Sequence, residues 1–230
     1  MINKSYHVLK NNNKRLKSLC LNYNMNKKDL LISLRSQNFS DLIVSAFEKV
    51  ERERFLSPKL INMAYLDSAL PLDCQQTISQ PSMIAWMLQL LDLESLIGKK
   101  CRILEVGSGS GYVLALLAET LPKAEIYGLE IQLSLFSKSK SLLSENKNIQ
   151  IMHKSGHLGF PEKAPFSRII VSASAPDEKS LNSLVRQLDA RGILVAPVRN
   201  DLIKITKLGK GKLEKKLFPN SVRFVPLIKK

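Results

Sequence analysis

Glu105, Gly107, Gly109, Gly111 and Glu130 are the residues whose types and spacing could do chemistry. The first four lie in Arg102–Tyr112, which reads Arg-Ile-Leu-Glu-Val-Gly-Ser-Gly-Ser-Gly-Tyr, and the fifth closes Ile126-Tyr127-Gly128-Leu129-Glu130. Glycines at three alternate positions let the backbone take positive φ, and let a ligand approach without a Cβ in the way. A β-branched apolar run precedes them and a helical apolar pattern follows (Val113, Leu114, Leu116, Leu117, Leu121), so the unit is strand, glycine turn, helix. Such a turn offers free N–H groups at a helix N-terminus, where a carboxylate or phosphate is favoured. Spacing excludes two ligand classes. A dinucleotide fingerprint needs G-x-G-x-x-G, but position 112 is Tyr and the third glycine comes one residue early. A phosphate-binding Walker loop needs Gly-Lys-Ser/Thr, which this stretch lacks.

With Glu105 ahead of the glycines the string becomes E-x-G-x-G-x-G, and it resembles the first motif of class I S-adenosylmethionine-dependent methyltransferases. The resemblance implies that Glu105 answers the ligand's ammonium group, while Gly107, Ser108, Gly109, Gly111 and Tyr112 form the turn and helix start under its methionine and ribose. A second acid is expected roughly twenty residues on, at the end of the next strand, to take the ribose hydroxyls. Glu130 supplies it.

The elements that must position these residues alternate from Lys100 onward. Strands are predicted at 102–106, 125–130, Ile149–His153, Phe166–Val171 and Gly192–Val198, with helices at 112–121, Leu133–Asn146 and Leu181–Leu188. That alternation predicts an α/β fold: a doubly wound, mostly parallel Rossmann-like sheet with helices on both faces and the ligand at the carboxyl ends of its strands. Leu202–Leu208 and Val222–Leu227 read as strands joined by a Gly-Lys-Gly turn, an antiparallel pair at the C-terminal sheet edge. Upstream, Asp29–Gln37 and Asp41–Val50 have helical spacing, the second with Ser40 as N-cap. Residues from Arg52 to Leu72 show no period and are expected to be irregular. A further helix starts at Pro81, capped by Ser79 or Gln80, with Trp86 in the core.

Composition sets limits. With 230 residues the chain is one domain with modest appendages. Residues 1–28 are a basic extension expected to be disordered, and Met25 is a candidate start. Residues 29–230 form one methyltransferase domain, divided into a helical part (29–98), a cofactor-binding core (99–198) and C-terminal strands (199–230). The net charge of +15 sits at the two ends: residues 1–28 hold seven Lys/Arg and no acid, residues 199–230 hold ten against two, and the body has eighteen of each sign. Basic residues on tails rather than around a site argue against nucleic acid as a partner. No run is long and apolar enough to span a membrane, and no continuous apolar segment makes the leader a secretory signal. Cys20, Cys74 and Cys101 lack metal-ligand spacing and suit a reducing compartment. A cytoplasmic monomer is the expectation. His153 and His157 are four apart but lack a third ligand, so no metal is expected.

Several separated strings resemble one family, the protein-L-isoaspartate O-methyltransferases. They are Val50-Glu51-Arg52-Glu53-Arg54-Phe55, Ala64-Tyr65 with Leu70-Pro71, Gln76-Thr77-Ile78-Ser79-Gln80-Pro81, the glycine motif, Ala164-Pro165-Phe166, and Val222-Arg223-Phe224-Val225-Pro226-Leu227. The resemblance runs from about Lys28 to Lys230. It implies transfer of a methyl group from S-adenosyl-L-methionine to the free carboxylate of L-isoaspartyl residues in damaged proteins and peptides, after which the ester closes to a succinimide and hydrolyses partly to aspartate. It also implies roles. Ser79 is the catalytic serine and orients the acceptor carboxylate or the methyl donor, without acting as a nucleophile. Gln76, Thr77, Ser155 and Gly156 join the cofactor set, and Ile78, Val222, Phe224 and Val225 line the substrate site.

Three departures from the family pattern lie on the ligand side. Asp73 stands where a glycine is usual, Ser155 replaces an Asp near the adenine, and Arg199 stands where Gly commonly follows Pro-Val. They motivate two alternatives: a relative with the same cofactor and a different acceptor, or a non-catalytic binding protein on the same scaffold.

Overall fold

The computed structural model describes residues 25–228. The disorder expected of residues 1–24, and Cys20 with it, lies outside the described residues. Residues 25–28 are ordered, because Asn26 and Asp29 form a reciprocal capping box, with each side chain accepting from the other's backbone N–H at 3.1 Å. Helix α1 therefore spans Lys27–Ser36 and begins two residues early. Next come α2 (Asp41–Lys49), a two-stranded ladder of β1 (Leu70–Pro71) and β2 (Thr77–Ile78), and α3 (Pro81–Leu90).

The main sheet contains β3 (Arg102–Val106), β4 (Glu125–Glu130), β5 (Ile149–His153), β6 (Phe166–Val171), β7 (Leu188–Val198), β8 (Asp201–Lys207) and β9 (Leu213–Phe218). Between strands lie α4 (Tyr112–Thr120), α5 (Leu133–Leu142) and α6 (Asn182–Arg186). Strand order is β5-β4-β3-β6-β7-β8-β9. The first five run parallel and the last two antiparallel. β3 lies between β4 and β6, where the winding reverses, and a ligand crevice opens at such a switch point.

Two apolar layers sandwich the sheet. One holds α1 to α4 against Ile103, Ile126 and Ile170; the other packs Phe160, Leu181 and Leu184 on Leu104, Val106 and Ile169. Helix α4 is buried on nearly every side, as its almost continuous apolar sequence requires.

The C-terminal edge differs from expectation. The antiparallel partner of β8 is Leu213–Phe218, reached through Gly209-Lys210-Gly211, and not Val222–Leu227. Leu213–Phe218 is an exposed edge strand with Glu214, Lys215 and Lys216 at its centre, a charged pattern that protects an edge and hides the strand from hydropathy. Val222–Leu227 instead crosses the carboxyl ends of the strands as a strap. Ser174 holds it, its N–H donating to Val225 O at 2.7 Å and its carbonyl accepting from Leu227 N at 2.8 Å.

Candidate active site

The glycine turn is fixed from β4. Gly107 N and Ser108 N both donate to Leu129 O, at 2.8 and 3.1 Å, and Gly109 N donates to Glu130 Oε2 at 2.7 Å. Gly107, Gly109 and Gly111 have φ of +78°, +53° and +85°, the left-handed region that favours glycine. The other oxygen of Glu130 accepts from Gln132 N at 2.7 Å. Glu130 is thus locked at the mouth of the crevice that Gln76, Gly107, Gly109, Ile131, Gln132 and Gly156 also line, with the strap as its roof. The open space beneath the strap is about 50 Å³.

Glu105 sits one layer deeper. It is 1 % exposed, accepts from Ser172 Oγ at 2.7 Å on one oxygen, and leaves the other without a partner. Burial pushes its carboxyl up to about 8; the Ser172 hydrogen bond opposes that rise and the charge of Glu130 adds to it. Ser172 itself faces the crevice, so it connects the buried carboxylate to the ligand side.

A second cleft, about 460 Å³, adjoins the first. Ser79, Gln80 and Met83 form one wall and Asn200, Val222 and Phe224 another. Thr77, Ser172 and Val225 line both clefts. Ser79 is held by its backbone: its carbonyl accepts from Arg52 NH2 at 3.0 Å. Neither Ser79 nor Gln80 caps α3 with its side chain. Asp67 does so from a distance, Oδ1 accepting from Ser82 N at 2.8 Å and Oδ2 from Gln80 Nε2 at 3.1 Å. Ser40, the expected cap of α2, likewise makes no side-chain cap bond.

Of the residues predicted from sequence, Gln76, Thr77, Ser79, Gly107, Gly109, Glu130, Gly156, Val222, Phe224 and Val225 meet at the two clefts. Others do not. Ile78 is 4 % exposed and pairs with Leu70, so it belongs to the core. Tyr112 packs against Phe47 and Phe55, with ring centroids 6.0 and 5.2 Å away. A Cβ on Gly111 would come within 2.8 Å of Leu143, so that glycine admits the segment following α5 and not a ligand. Ser108 turns its buried hydroxyl away, to where a Cβ on Gly128 would fall. Ser155 is tied up by His157 Nδ1 at 3.0 Å and the carbonyl of Ile228 at 3.2 Å. His153 stacks on Phe136 and its Nε2 meets Ile131 O at 3.0 Å.

The departures also acquire positions. Asp73 points out of both clefts and pairs with Lys138, whose hydrogen bond and charge hold its carboxyl below the usual range. Arg199 takes the positive φ, 56°, that explains a glycine there, and its Nε donates to Pro176 O at 3.0 Å.

Sequence reasoning assigned no role to Arg52, Asp67 or Ser172. Arg52 is 0 % exposed and donates to four carbonyls: Ala64, Leu66, Ser68 and Ser79. The available signal was a lone arginine inside an irregular stretch. Irregular backbone leaves carbonyls without ladder partners, and a buried guanidinium can answer several at once.

A parallel sheet reversing at β3, a glycine turn locked onto an acid at the end of β4, and a buried acid beside the turn define a class I S-adenosylmethionine-dependent methyltransferase. Residues 25–230 match the family model described as protein-L-isoaspartate(D-aspartate) O-methyltransferase. A Parvibaculum lavamentivorans protein-L-isoaspartate O-methyltransferase is 37% identical over 212 residues, covering 88% of this chain and 91% of its own. One from Yersinia enterocolitica is 38% identical over 212 residues, covering 90% and 97%. A Plasmodium falciparum protein-L-isoaspartate O-methyltransferase structure, in complex with S-adenosyl-L-homocysteine, matches with a TM-score of 0.76 at 27% identity, over 90% of this chain and 100% of that one. The chain belongs to the protein-L-isoaspartate O-methyltransferase family.

Proposed function

We propose that the protein transfers the methyl group of S-adenosylmethionine to the free carboxylate of L-isoaspartyl residues in damaged proteins. Thr77, Ser172 and Val225 are common to a crevice suited to the cofactor and a cleft suited to a peptide, and the reading rests on that shared wall. The donor set fits the cofactor: Glu105 has an unsatisfied oxygen for a cation, Glu130 has lone pairs left for hydroxyls, and the turn glycines keep side chains out of the path. The strap 225–228 must ride outward when the crevice is filled, since about 50 Å³ is too little for an adenosine.

The cofactor supplies an electrophilic methyl on a sulfonium, so an ionised carboxylate is nucleophile enough. One carboxylate oxygen–carbon bond forms as the carbon–sulfur bond breaks, and no proton moves. Neither a carboxylate nor a histidine among the described residues lines the peptide cleft, which agrees with a transfer that needs no base. The chain's contribution is then position and exclusion of water. Ser79 Oγ orients the acceptor, Thr77 and Val225 confine it, and Arg52 fixes the backbone that presents Ser79. Ser79 acts as an orienting group and not a nucleophile.

The proposal is of a monomeric enzyme that acts on protein and not on nucleic acid. Among the described residues no helix is long and apolar enough to cross a membrane. Among the described residues Cys74 and Cys101 form no disulfide, and a cytoplasmic setting is part of the proposal. The test is methyl incorporation from labelled S-adenosylmethionine into an isoaspartyl peptide, with its ordinary aspartyl twin as control. Base-labile label on the first alone is expected. Label on neither, with cofactor binding intact by calorimetry, would refute this acceptor and favour a relative with a changed one.

A further inference from the structure

The basic excess of the C-terminal region is not on a tail. Residues 199–228 carry eight Lys/Arg against Asp201 and Glu214, and their two flanks, Asn200 and Asn220–Val225, line one side of the peptide cleft while β8 and β9 extend from it. Lys204 and Lys216 are direct cross-strand neighbours in the β8–β9 ladder. Like charges in that relation are unfavourable, so the fold accepts a local cost for keeping this region positive. Phe218, at the end of β9, packs edge-on against Trp86 at 5.2 Å, which couples the basic ladder to the helix carrying Met83.

Within the cleft, Arg223 is the only ionisable side chain among the described lining residues, and no acid faces it. Arg223 is exposed and has no ion pair or hydrogen bond within the described residues. Three other cations of this region are occupied: Lys215 pairs with Glu178, the Arg199 guanidinium binds Pro176 O, and Lys207 donates to Leu188 O. A planar guanidinium left free in a neutral cleft is matched best by a carboxylate.

We infer that the cleft prefers isoaspartyl sites flanked by aspartate or glutamate, with Arg223 as the specificity-determining residue. The inference rests on the methyl-transfer reading and narrows its substrate class. Arg223 lines only the peptide cleft, so its contribution belongs to peptide recognition and not to the cofactor.

The experiment is steady-state methylation of isoaspartyl heptapeptides that carry Glu, Gln or Lys beside the acceptor. In the wild type the Glu peptide should have a KM about two- to fivefold below that of the Gln peptide, the range of a partly exposed ion pair. The preference should fade as salt rises from about 0.01 to about 1 M, since screening tightens over that range. Arg223→Gln should bring the Glu-to-Gln ratio to unity, and Arg223→Glu should turn the preference toward the Lys peptide. Equal KM values for all three peptides in the wild type would overturn the inference while leaving the reaction intact. So would an equal KM increase for all three in Arg223→Gln, which would assign Arg223 to the acceptor carboxylate they share. A single-stranded oligonucleotide that competes with the Gln peptide better than a Glu-rich peptide does would reassign Arg223 to nucleic acid. No methylation of any peptide by the wild type would remove the reaction, and the inference with it.

Discussion

Arg52 NH2 donates to the carbonyl of Ser79 at 3.0 Å, and the same guanidinium holds Ala64, Leu66 and Ser68. A fully buried cation thus ties the irregular segment 64–68 to the residue expected to orient the acceptor. Burial lowers the guanidinium to about 10, so it remains charged at neutral pH.

Replacing Arg52 should therefore harm both stability and catalysis. Arg52→Met leaves four carbonyls without their donor and should lower unfolding free energy by about 3 kcal/mol or more, read as a lower urea midpoint. Arg52→Lys, with three donors, should recover part of it. At a temperature where both variants are folded, kcat should still fall, with cofactor Kd little changed. Full kcat in the folded variants would confine Arg52 to a structural role.

The parallel sheet was readable because its signals are local. β3, β4, β5 and β6 each begin and end within one residue of an apolar run. β9 was hidden by its charges, and the strap reads as a strand because Val222-Arg223-Phe224-Val225 is rich in β-formers, although all four residues line a cleft. At the site, motif spacing found Glu130 and the turn but could not say which way side chains point. Gly111 and Gly156 look alike in sequence, and a Cβ on either would meet a core side chain, Leu143 or Val106, yet only Gly156 also lines the crevice. Arg52 and Asp67 act at sequence separations of 27 and 15 residues, a distance at which no local pattern forms.

Gly109 separates turn geometry from packing. Only Leu72, at 3.9 Å, lies near where its Cβ would fall, so space on the protein side is open. Gly109→Val should leave the fold in place at a cost of about 1–2 kcal/mol for a non-glycine at positive φ, and abolish cofactor binding by calorimetry. Retained affinity would remove the turn from the ligand's path.

Ser79→Ala deletes a hydroxyl that caps nothing, so stability should barely change. Turnover of an isoaspartyl peptide should drop about tenfold or more through lost orientation, while cofactor Kd holds within about twofold. Unchanged turnover would leave Ser79 as a lining residue whose carbonyl alone matters.

Glu105 makes the protein sensitive to pH. Its carboxyl titrates near 8 in the folded chain against 4.5 as a free group. Between those values the folded protein keeps a proton that the unfolded chain has released. Stability from this group is therefore complete below pH 4.5 and is lost as pH rises through 8, with a span on the order of 3–5 kcal/mol. Glu105→Gln should flatten that slope in urea unfolding followed from pH 5 to 8.5. On the proposed reading the cofactor's ammonium would approach Glu105 and reverse the preference, since an adjacent cation favours the ionised carboxylate. At pH 7 cofactor binding should release close to one proton, measurable by calorimetry in buffers of different ionisation heat, and affinity should rise toward pH 8. In Glu105→Gln the release should vanish. Proton release persisting in that variant would assign it to another group and leave Glu105 as a buried carboxyl without a part in binding.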